Sequence, residues 1–520
     1  MKHIFLSVLS ITLFSVYLNA QNIVYADISK GDVVRMNFEI LGKSADNYLV
    51  YKETKGKHRI SVYDHNMELR EEVPVEGLPK SANLLDVSFY NNDRNYYLLY
   101  QYQEGDVVFL KARKIEANGR MLEESVLLDT TMISYKTERK IYSTAISNNK
   151  SKLLAFKINK KDRARYRFTT KLFDTELNPL NESQFWLPME YKGDYLTGYS
   201  IANDGSFAFI KYHRQTNGNI TDASLVEKPA NQDSYEEHKL NVNDLFLDDI
   251  KLMVDDHSSR YLLTSFYSTQ KRGDIDGLYV FGLNKNSHST AFEKTTLFTD
   301  DLKQRAKGKS NTKNAFNDFF INNIVVNPDG GFTIVSERLY SFDNWDRWGY
   351  WGAGPGWGWG GLGMWGGWGP GWGGWWPYSY YSPFFYRSYW WGGWAPGWNQ
   401  GSQQFNAGNI AMLNFDSEGN QTWDNVIVKS QRETNTDGSI SYQLMPGNNG
   451  LRFLINNSQK ITSLENIIIN SDGSTRKGNG IKAKDKRIDF MPRYGQQTGE
   501  NEIIIPYSYK GNISFAKINF

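Results

Sequence analysis

The sequence predicts an all-β protein: a β-propeller of about eight four-stranded blades, seven being the other admissible count, closed by pairing of the N-terminal strand with the C-terminal blade. Three observations predict it. Short runs of alternating or continuous apolar residues follow one another along the chain, separated by Asn, Asp and Gly turns, and no helical periodicity competes over any comparable length. The runs fall into groups of four, with a similar turn between the last two strands of most groups. One strand is left over at the N-terminus, and the last group at the C-terminus is one strand short.

The groups follow in order. The first is Val33 to Leu41, Asn47 to Glu53, Arg59 to Asp64 and Leu69 to Val75. The second is Leu84 to Tyr90, Tyr96 to Gln103, Val107 to Ile115 and Met121 to Leu128. Tyr142 to Ser147, Lys152 to Ile158, Tyr166 to Phe173 and Leu180 to Leu187 form the third, and Leu196 to Ala202, Phe207 to His213, Thr221 to Glu227 and Tyr235 to Val242 the fourth. A fifth runs from Ile250 through Tyr261 to Tyr267 and Leu278 to Leu283, closing near Phe298. A sixth begins at Phe319, and a seventh spans Ser439 to Ile481. The recurring turn reads YDHNMEL at Tyr63, IEANGRML at Ile115, FDTELNPL at Phe173, GLNKNSHS at Gly282, FDSEGNQTW at Phe415 and INSDGSTR at Ile469. Its spacing of about fifty to sixty residues, where nothing is inserted, suits propeller blades, and a single sheet of four strands buries neither face alone, so its neighbours must cover it.

After Arg487 three strands remain, Ile488 to Pro492, Glu502 to Tyr509 and Asn512 to Asn519, while Asn22 to Ser29 has no group of its own. Pairing that strand with the last three completes a final blade and removes an exposed edge. The competing arrangement is two smaller β domains.

Within the sixth group, between the strand at Gly331 to Ser336 and the strand at Asn409 to Phe415, lies an insertion at 342–405. Residues 345–398 hold fourteen of the sixteen tryptophans and only three charged side chains, Asp346, Arg347 and Arg387. Gly and Pro recur too often there for a helix or a regular strand. Removing the insertion restores a repeat of ordinary length, so the fold is expected to exist without it. Its aromatic faces on a flexible backbone suit contact with something outside the fold, and the candidate contact residues are Trp357, Trp359, Trp365, Trp368, Trp372, Trp375, Trp376, Trp390, Trp391 and Trp394. The same side chains could equally collapse on one another or on the propeller face as a self-packed cap.

The N-terminus predicts the compartment. Met1-Lys2-His3 is a short basic start, Ile4 to Leu18 is almost wholly apolar, and Ala20 is the small residue expected before a cleavage site, so residues 1–20 read as a signal peptide and 21–520 as one exported domain. About fifteen apolar residues is short for a membrane span. The chain has no cysteine, which excludes a lipidated thiol, a disulfide framework and Cys-based metal or redox chemistry. The expected location is therefore the periplasm or cell surface, and the protein is not expected to be a lipoprotein. Lys plus Arg is 59 against 57 Asp plus Glu, so charge gives no case for nucleic acid as a partner. Two local basic runs are exceptions: Lys157 to Arg167 reads as a solvated face and Lys303 to Lys313 as an exposed loop.

The order GGFTIVSERLYSF, then NIAMLNFDSEGNQTWDNVIVKSQ, then a strand pair ending GLRFLINN and the IIINSDGS turn resembles uncharacterised exported proteins of Bacteroidota built from propeller-like β repeats. The resemblance is clear over the C-terminal third. It implies fold and compartment and carries no catalytic residues. The Trp/Gly-rich insertion departs from the pattern, in which a short loop joins the same two strands.

No catalytic constellation is legible. His58, His65, His213, His238, His257 and His288 are scattered, one per group, without an H-E-x-x-H or an i, i+4 pair, and read as surface or structural histidines. There is no G-x-S-x-G elbow, and GWGWGG lacks the strand, Lys and helix of a phosphate cradle. Asp248-Asp249, Asp255-Asp256 and Asp300-Asp301 are poor acid/base pairs singly, because neighbours on a strand face opposite ways. Asp416 to Asn420 reads as a turn and not a calcium loop. No metal and no cofactor is expected. Two function classes remain. The preferred one is a non-enzymatic binding or scaffolding protein of the cell envelope whose aromatic loop meets a polysaccharide, a membrane interface or an envelope protein. The alternative is a glycan-active propeller enzyme whose carboxylates, from different blades, converge in the central channel.

Overall fold

The computed structural model describes residues 22–520 apart from 30–31, 34–35, 82, 93, 138–139, 161–163, 192, 215–218, 309–313, 342–387, 390–403, 435–437, 448–449 and 458–459. Eight four-stranded antiparallel units follow one another around a ring. Blade one is Asn37–Ser44, Asn47–Thr54, Lys57–Tyr63 and Leu69–Pro74; blade two is Leu84–Asn91, Tyr96–Glu104, Val107–Ile115 and Met121–Met132. Blade three is Ser143–Ile146, Leu153–Lys160, Arg165–Phe173 and Pro179–Pro188; blade four is Asp194–Ile201, Phe207–Arg214, Ile220–Lys228 and Glu236–Lys239. Blade five is Phe246–Asp255, Arg260–Ser268, Gly277–Asn284 and Thr290–Leu297; blade six is Phe319–Val326, Phe332–Ser341, Gln404–Phe415 and Gln421–Ile427. Blade seven is Tyr442–Gly447, Gly450–Asn457, Lys460–Ile469 and Thr475–Lys477. Blade eight joins the chain's two ends: Ile488–Phe490, Glu502–Tyr509 and Asn512–Asn519 are completed on the outside by Asn22–Tyr25. The register there runs Asn22 to Asn519, Ile23 to Ile518, Val24 to Lys517 and Tyr25 to Ala516.

Packing between blades shows that the ring is closed. Eight apolar clusters lie between consecutive blades, whereas an open stack of eight sheets has only seven interfaces. The closing cluster joins Phe38, Tyr48 and Tyr63 of blade one to Tyr494, Ile504, Ile513 and Phe515 around blade eight. Phe38 meets Phe515 edge to face at 5.2 Å. Each large side chain buried in this way is worth roughly 1.5–3 kcal/mol, so the interfaces and not the separate sheets hold the ring.

The recurring turn has a specific task. Its first residue donates its backbone N–H to the carbonyl four or five residues on, from Asp64 to Glu68, Glu116 to Arg120, Asp174 to Asn178, Asn284 to Ser289, Asp416 to Asn420 and Asn470 to Ser474. The residue just before that acceptor has positive φ and points at the preceding blade. In blades two, six and seven it is glycine: Gly119 (φ 79°), Gly419 (φ 77°) and Gly473 (φ 82°). A Cβ there would lie 2.7 Å from Val62, 2.6 Å from Phe292 and 2.7 Å from Trp423, respectively, each on the blade before. In blades one and three the same position holds Met67 and Leu177, also at positive φ and almost fully buried in the interface with the preceding blade. Blade five carries His288 there, at φ 50°.

Charged groups are buried at several of these interfaces. Lys52 and Asp32, both fully inaccessible, form a 2.7 Å ion pair where the N-terminal segment passes from blade eight to blade one. The Lys52 ammonium also donates to the Tyr63 hydroxyl at 2.8 Å and lies 5.5 Å from the Phe515 ring centroid. Burial pushes the Lys52 amine's pKa down, against the pull of the Asp32 charge. Between blades six and seven, Lys429 pairs with Glu337 at 2.7 Å, and the Ser441 hydroxyl donates to the same carboxylate at 2.6 Å.

Asp129 of blade two meets Lys157 at 2.6 Å and Lys171 at 3.0 Å, both from blade three. Burial raises the Asp129 pKa, but the two lysines outweigh it and hold the carboxyl below its ordinary range. The folded pKa is thus below the unfolded one, so the contribution is complete above the unfolded value near ~4 and is lost as pH falls through the folded value. Asp129→Asn should cost about 1–3 kcal/mol near neutral pH and flatten the acid limb of a urea-melt stability profile. An unchanged acid limb would remove Asp129 from the account.

Two readings of the basic runs need correction. Lys303 falls within an α-helix, Asp300–Lys307, and not in an exposed loop. Thr299 caps it by accepting from the Leu302 N–H, Asp300 and Asp301 occupy the first turn, and Gly308 ends it. Leu302 and Ala306 are buried in the cluster between blades five and six. Such a short helix draws its stability from that packing. Residues 309–313 lie outside the described residues. Lys157, read as part of a solvated face, is instead the blade-three partner of Asp129 with only 11% of its side chain accessible.

Candidate functional site

Blade six presents its insertion at the end of a complete hairpin. Phe332–Ser341 and Gln404–Phe415 pair antiparallel, with Leu339 opposite Ala407, Tyr340 opposite Asn406 and Ser341 opposite Phe405. The chain therefore leaves and re-enters at neighbouring positions of one ladder. The ten candidate residues Trp357, Trp359, Trp365, Trp368, Trp372, Trp375, Trp376, Trp390, Trp391 and Trp394 lie outside the described residues. Within the insertion, the backbone of Ser388–Tyr389 pairs with Phe38 and Glu39 on the first strand of blade one. First strands of blades three to six approach one another around the centre, and Ser388–Tyr389 pairs on the same side of blade one.

Asp255-Asp256 and Asp300-Asp301 are held by local partners and are not gathered in one site. Asp255 is engaged by Arg260 at 2.9 Å, and Asp256 by Lys285 at 3.2 Å and by the Asn203 N–H at 3.0 Å. Asp300 and Asp301 open the helix, where Asp301 pairs with Arg305. Asp416 uses one carboxylate oxygen for the N–H groups of Glu418 and Asn420 and the other for the Asn420 side chain, which makes it a turn residue. Among the described residues, the one grouping of three or more His, Asp or Glu ligand atoms within mutual reach contains a single carboxylate. A three-carboxylate centre in the channel is not present among them.

A groove of about 700 Å³ opens on blade two beside the 76–83 connection. Its floor carries Tyr100 and Tyr102, stacked at 5.9 Å, and Phe109 stacks on Tyr102 at 5.0 Å from behind the lining. The Lys111 ammonium lies 5.7 Å and 5.8 Å from the Tyr102 and Phe109 ring centroids. Alternation along the strands places Tyr100, Tyr102, Lys111 and Arg113 on this side, with Glu104 and Glu123 at the rim. Gly77 closes the groove, since a Cβ there would sit 2.9 Å from Arg113. Aromatic faces flanked by both donors and acceptors are the surface a sugar ring requires.

The histidines are not distributed one per blade: two fall in each of blades one, four and five. His58 meets the Tyr51 hydroxyl at 2.5 Å, His213 meets Asp194 at 2.9 Å, and His257 is exposed. His238 and His288 come from different blades yet stack at 6.2 Å with an interplanar angle of 8°. Glu227, His238 and His288 place their ligand atoms within 4.8 Å of one another. Sequence reading missed this grouping. The available signal was His288 in the turn position that faces the preceding blade.

Fold and sites together define an eight-bladed β-propeller that carries a long aromatic insertion on its sixth blade. No family model matches the chain, and no curated protein matches it. Among solved structures it is similar to a prolyl endopeptidase, with a TM-score of 0.40 and 8% identity over 92% of this chain and 55% of that one. It is also similar to an oligogalacturonate lyase in complex with manganese, with a TM-score of 0.38 and 7% identity over 96% of each chain. A third is an apocarotenoid oxygenase of Synechocystis, with a TM-score of 0.36 and 10% identity over 91% of this chain and 95% of that one. The chain spans about half the length of the prolyl endopeptidase. Likeness at this level transfers no activity. No helix among the described residues is long and apolar enough to cross a membrane.

Proposed function

We propose that this is an exported, non-enzymatic binding protein of the cell envelope, in the periplasm or at the cell surface, in which a closed propeller carries the aromatic insertion toward a polysaccharide. The observation that supports it most is the pairing of Ser341 with Phe405, which leaves blade six complete on either side of a long insertion rich in tryptophan. A scaffold complete without its largest insertion can expose tryptophan and tyrosine at little cost in stability. Those side chains offer flat apolar faces that stack on the C–H face of a sugar. The blade-two groove, with Tyr100 and Tyr102 beside Lys111 and Arg113, is a second surface of compatible chemistry.

The test replaces residues 342–404 by an Asn-Gly turn in the mature protein. Both forms should fold, with unfolding midpoints within a few degrees, and only the intact form should sediment with insoluble cell-wall or plant polysaccharides. Failure of the shortened form to fold would make the insertion a structural cap over the ring. Equal sedimentation by both forms, lost on Tyr102→Ala, would move the contact surface to the groove. Binding to anionic or zwitterionic vesicles in place of glycan would move the partner to the membrane interface.

A further inference from the structure

We infer that Glu227, His238 and His288, with Glu236 beside them, form a binding site for a divalent transition-metal ion, zinc in the first instance, which clips blade four to blade five. Glu227 lies on the third strand of blade four, and Glu236 and His238 on its short fourth strand, paired alongside so that Glu227 faces Glu236 and Leu225 faces His238. His288 arrives from the blade-five turn, at the position where other blades insert glycine, methionine or leucine into the preceding blade.

The geometry suits one ion. His288 Nδ1 is 3.2 Å from Glu227 Oε2 and 3.4 Å from Glu236 Oε2, and His238 Nε2 is 3.6 Å from Glu236 Oε2. Glu227, His238 and His288 hold their ligand atoms within 4.8 Å of one another; metal–ligand bonds of about 2.0–2.1 Å in a tetrahedron need edges of about 3.3–3.4 Å, so the three must close in by up to about 1.5 Å, and Glu236 must swing further to serve as a fourth ligand. His238 Nε2 is buried without a hydrogen-bond partner, which a metal bond would satisfy. The other Glu227 oxygen accepts from the Tyr261 hydroxyl at 2.8 Å, the kind of outer hydrogen bond that orients a metal-bound carboxylate. Glu227 is buried, whereas His288 and Glu236 are 38% and 54% exposed, leaving an entry path from solvent.

Two imidazoles and the Glu227 carboxylate, with the fourth position open to water or to Glu236, are a nitrogen and oxygen donor set that suits zinc. The same groups without metal would form only an imidazolium bridging two carboxylates. The two cases separate experimentally. Mature protein stripped with chelator should take up one zinc ion per chain with micromolar or tighter affinity, and its thermal midpoint should rise on addition of zinc. His238→Gln and His288→Asn should each weaken binding at least about 10- to 100-fold, and Tyr261→Phe by about 10-fold. Cobalt in place of zinc should give the visible d–d absorption of a tetrahedral site, lost in both histidine variants, while circular dichroism confirms that the variants are folded. If wild type takes up no zinc at millimolar concentration, or the double histidine variant binds as tightly as wild type, the site is an ion pair and the inference fails. Should the variants not fold, the cobalt spectrum of the wild-type protein alone decides: a tetrahedral spectrum upholds the site and its absence overturns it.

Discussion

Removing residues 1–26 is expected to open the ring. The deletion takes away the outer strand of blade eight and leaves Asn512–Asn519 as an unpaired edge. It removes Tyr25 from its edge-to-face contact with Tyr507 at 5.5 Å, and Ile23 and Tyr25 from the cluster between blades seven and eight. It also removes the Ala26 carbonyl that accepts from the buried hydroxyls of Tyr507 and Ser514. With roughly 1.5–3 kcal/mol for each large side chain, the loss should be at least about 4 kcal/mol. The bare edge should also promote self-association. Urea melts should move to lower denaturant, and light scattering should detect oligomers where the intact protein is monodisperse. A synthetic peptide of residues 22–29 added in trans should restore the melt, because strand addition needs backbone pairing and not chain continuity. An unchanged melt in the truncated protein would show that closure contributes little.

The second large effect is expected at Lys52. Among the described residues, Lys52→Ala leaves the buried Asp32 carboxylate with Arg59, 3.4 Å away, as its charged partner. Breaking a buried pair from one side costs about 3–5 kcal/mol, because the remaining charge is desolvated without compensation. Lys52→Met combined with Asp32→Asn should recover most of that loss. The double variant is the informative member of the set: if it is as unstable as Lys52→Ala, the pair is worth more than its desolvation, and the position needs a cation for the Tyr63 hydroxyl and the Phe515 ring as well.

The blades and their closure were legible because they rest on repetition. Apolar alternation recurs in fours, and in six of the eight a turn that starts on Asp, Asn or Glu and carries a positive-φ residue near its end, glycine in three of them, recurs between the last two strands. Each half of that turn has a physical cause, a side chain that collects free N–H groups and a residue at positive φ against the preceding sheet. The spare strand at Asn22 was visible for the same reason: it broke the count. The helix at Asp300–Lys307 was hidden by its length, although Thr299, the two following aspartates and Gly308 are ordinary stop and start signals. The site at Glu227, His238 and His288 was hidden for another reason. His288 and Glu227 are 61 residues apart, and nothing in their spacing reflects that consecutive blades lie face to face. Aligning the turns first would have exposed it, since a histidine stands where the other blades place glycine or an aliphatic side chain.

Blade eight also fixes the order in which the molecule can be finished. The strand Asn22–Tyr25 is made first and its partner Asn512–Asn519 last; the Tyr507 hydroxyl reaches back to Ala26 across 481 residues of chain. Every other blade is assembled from neighbouring segments and can form as the chain emerges. The final seam cannot form before Asn519 is made, so until then the molecule is an unclosed arc with one waiting strand, and its slowest folding step should be the long-range docking that turns the arc into a ring.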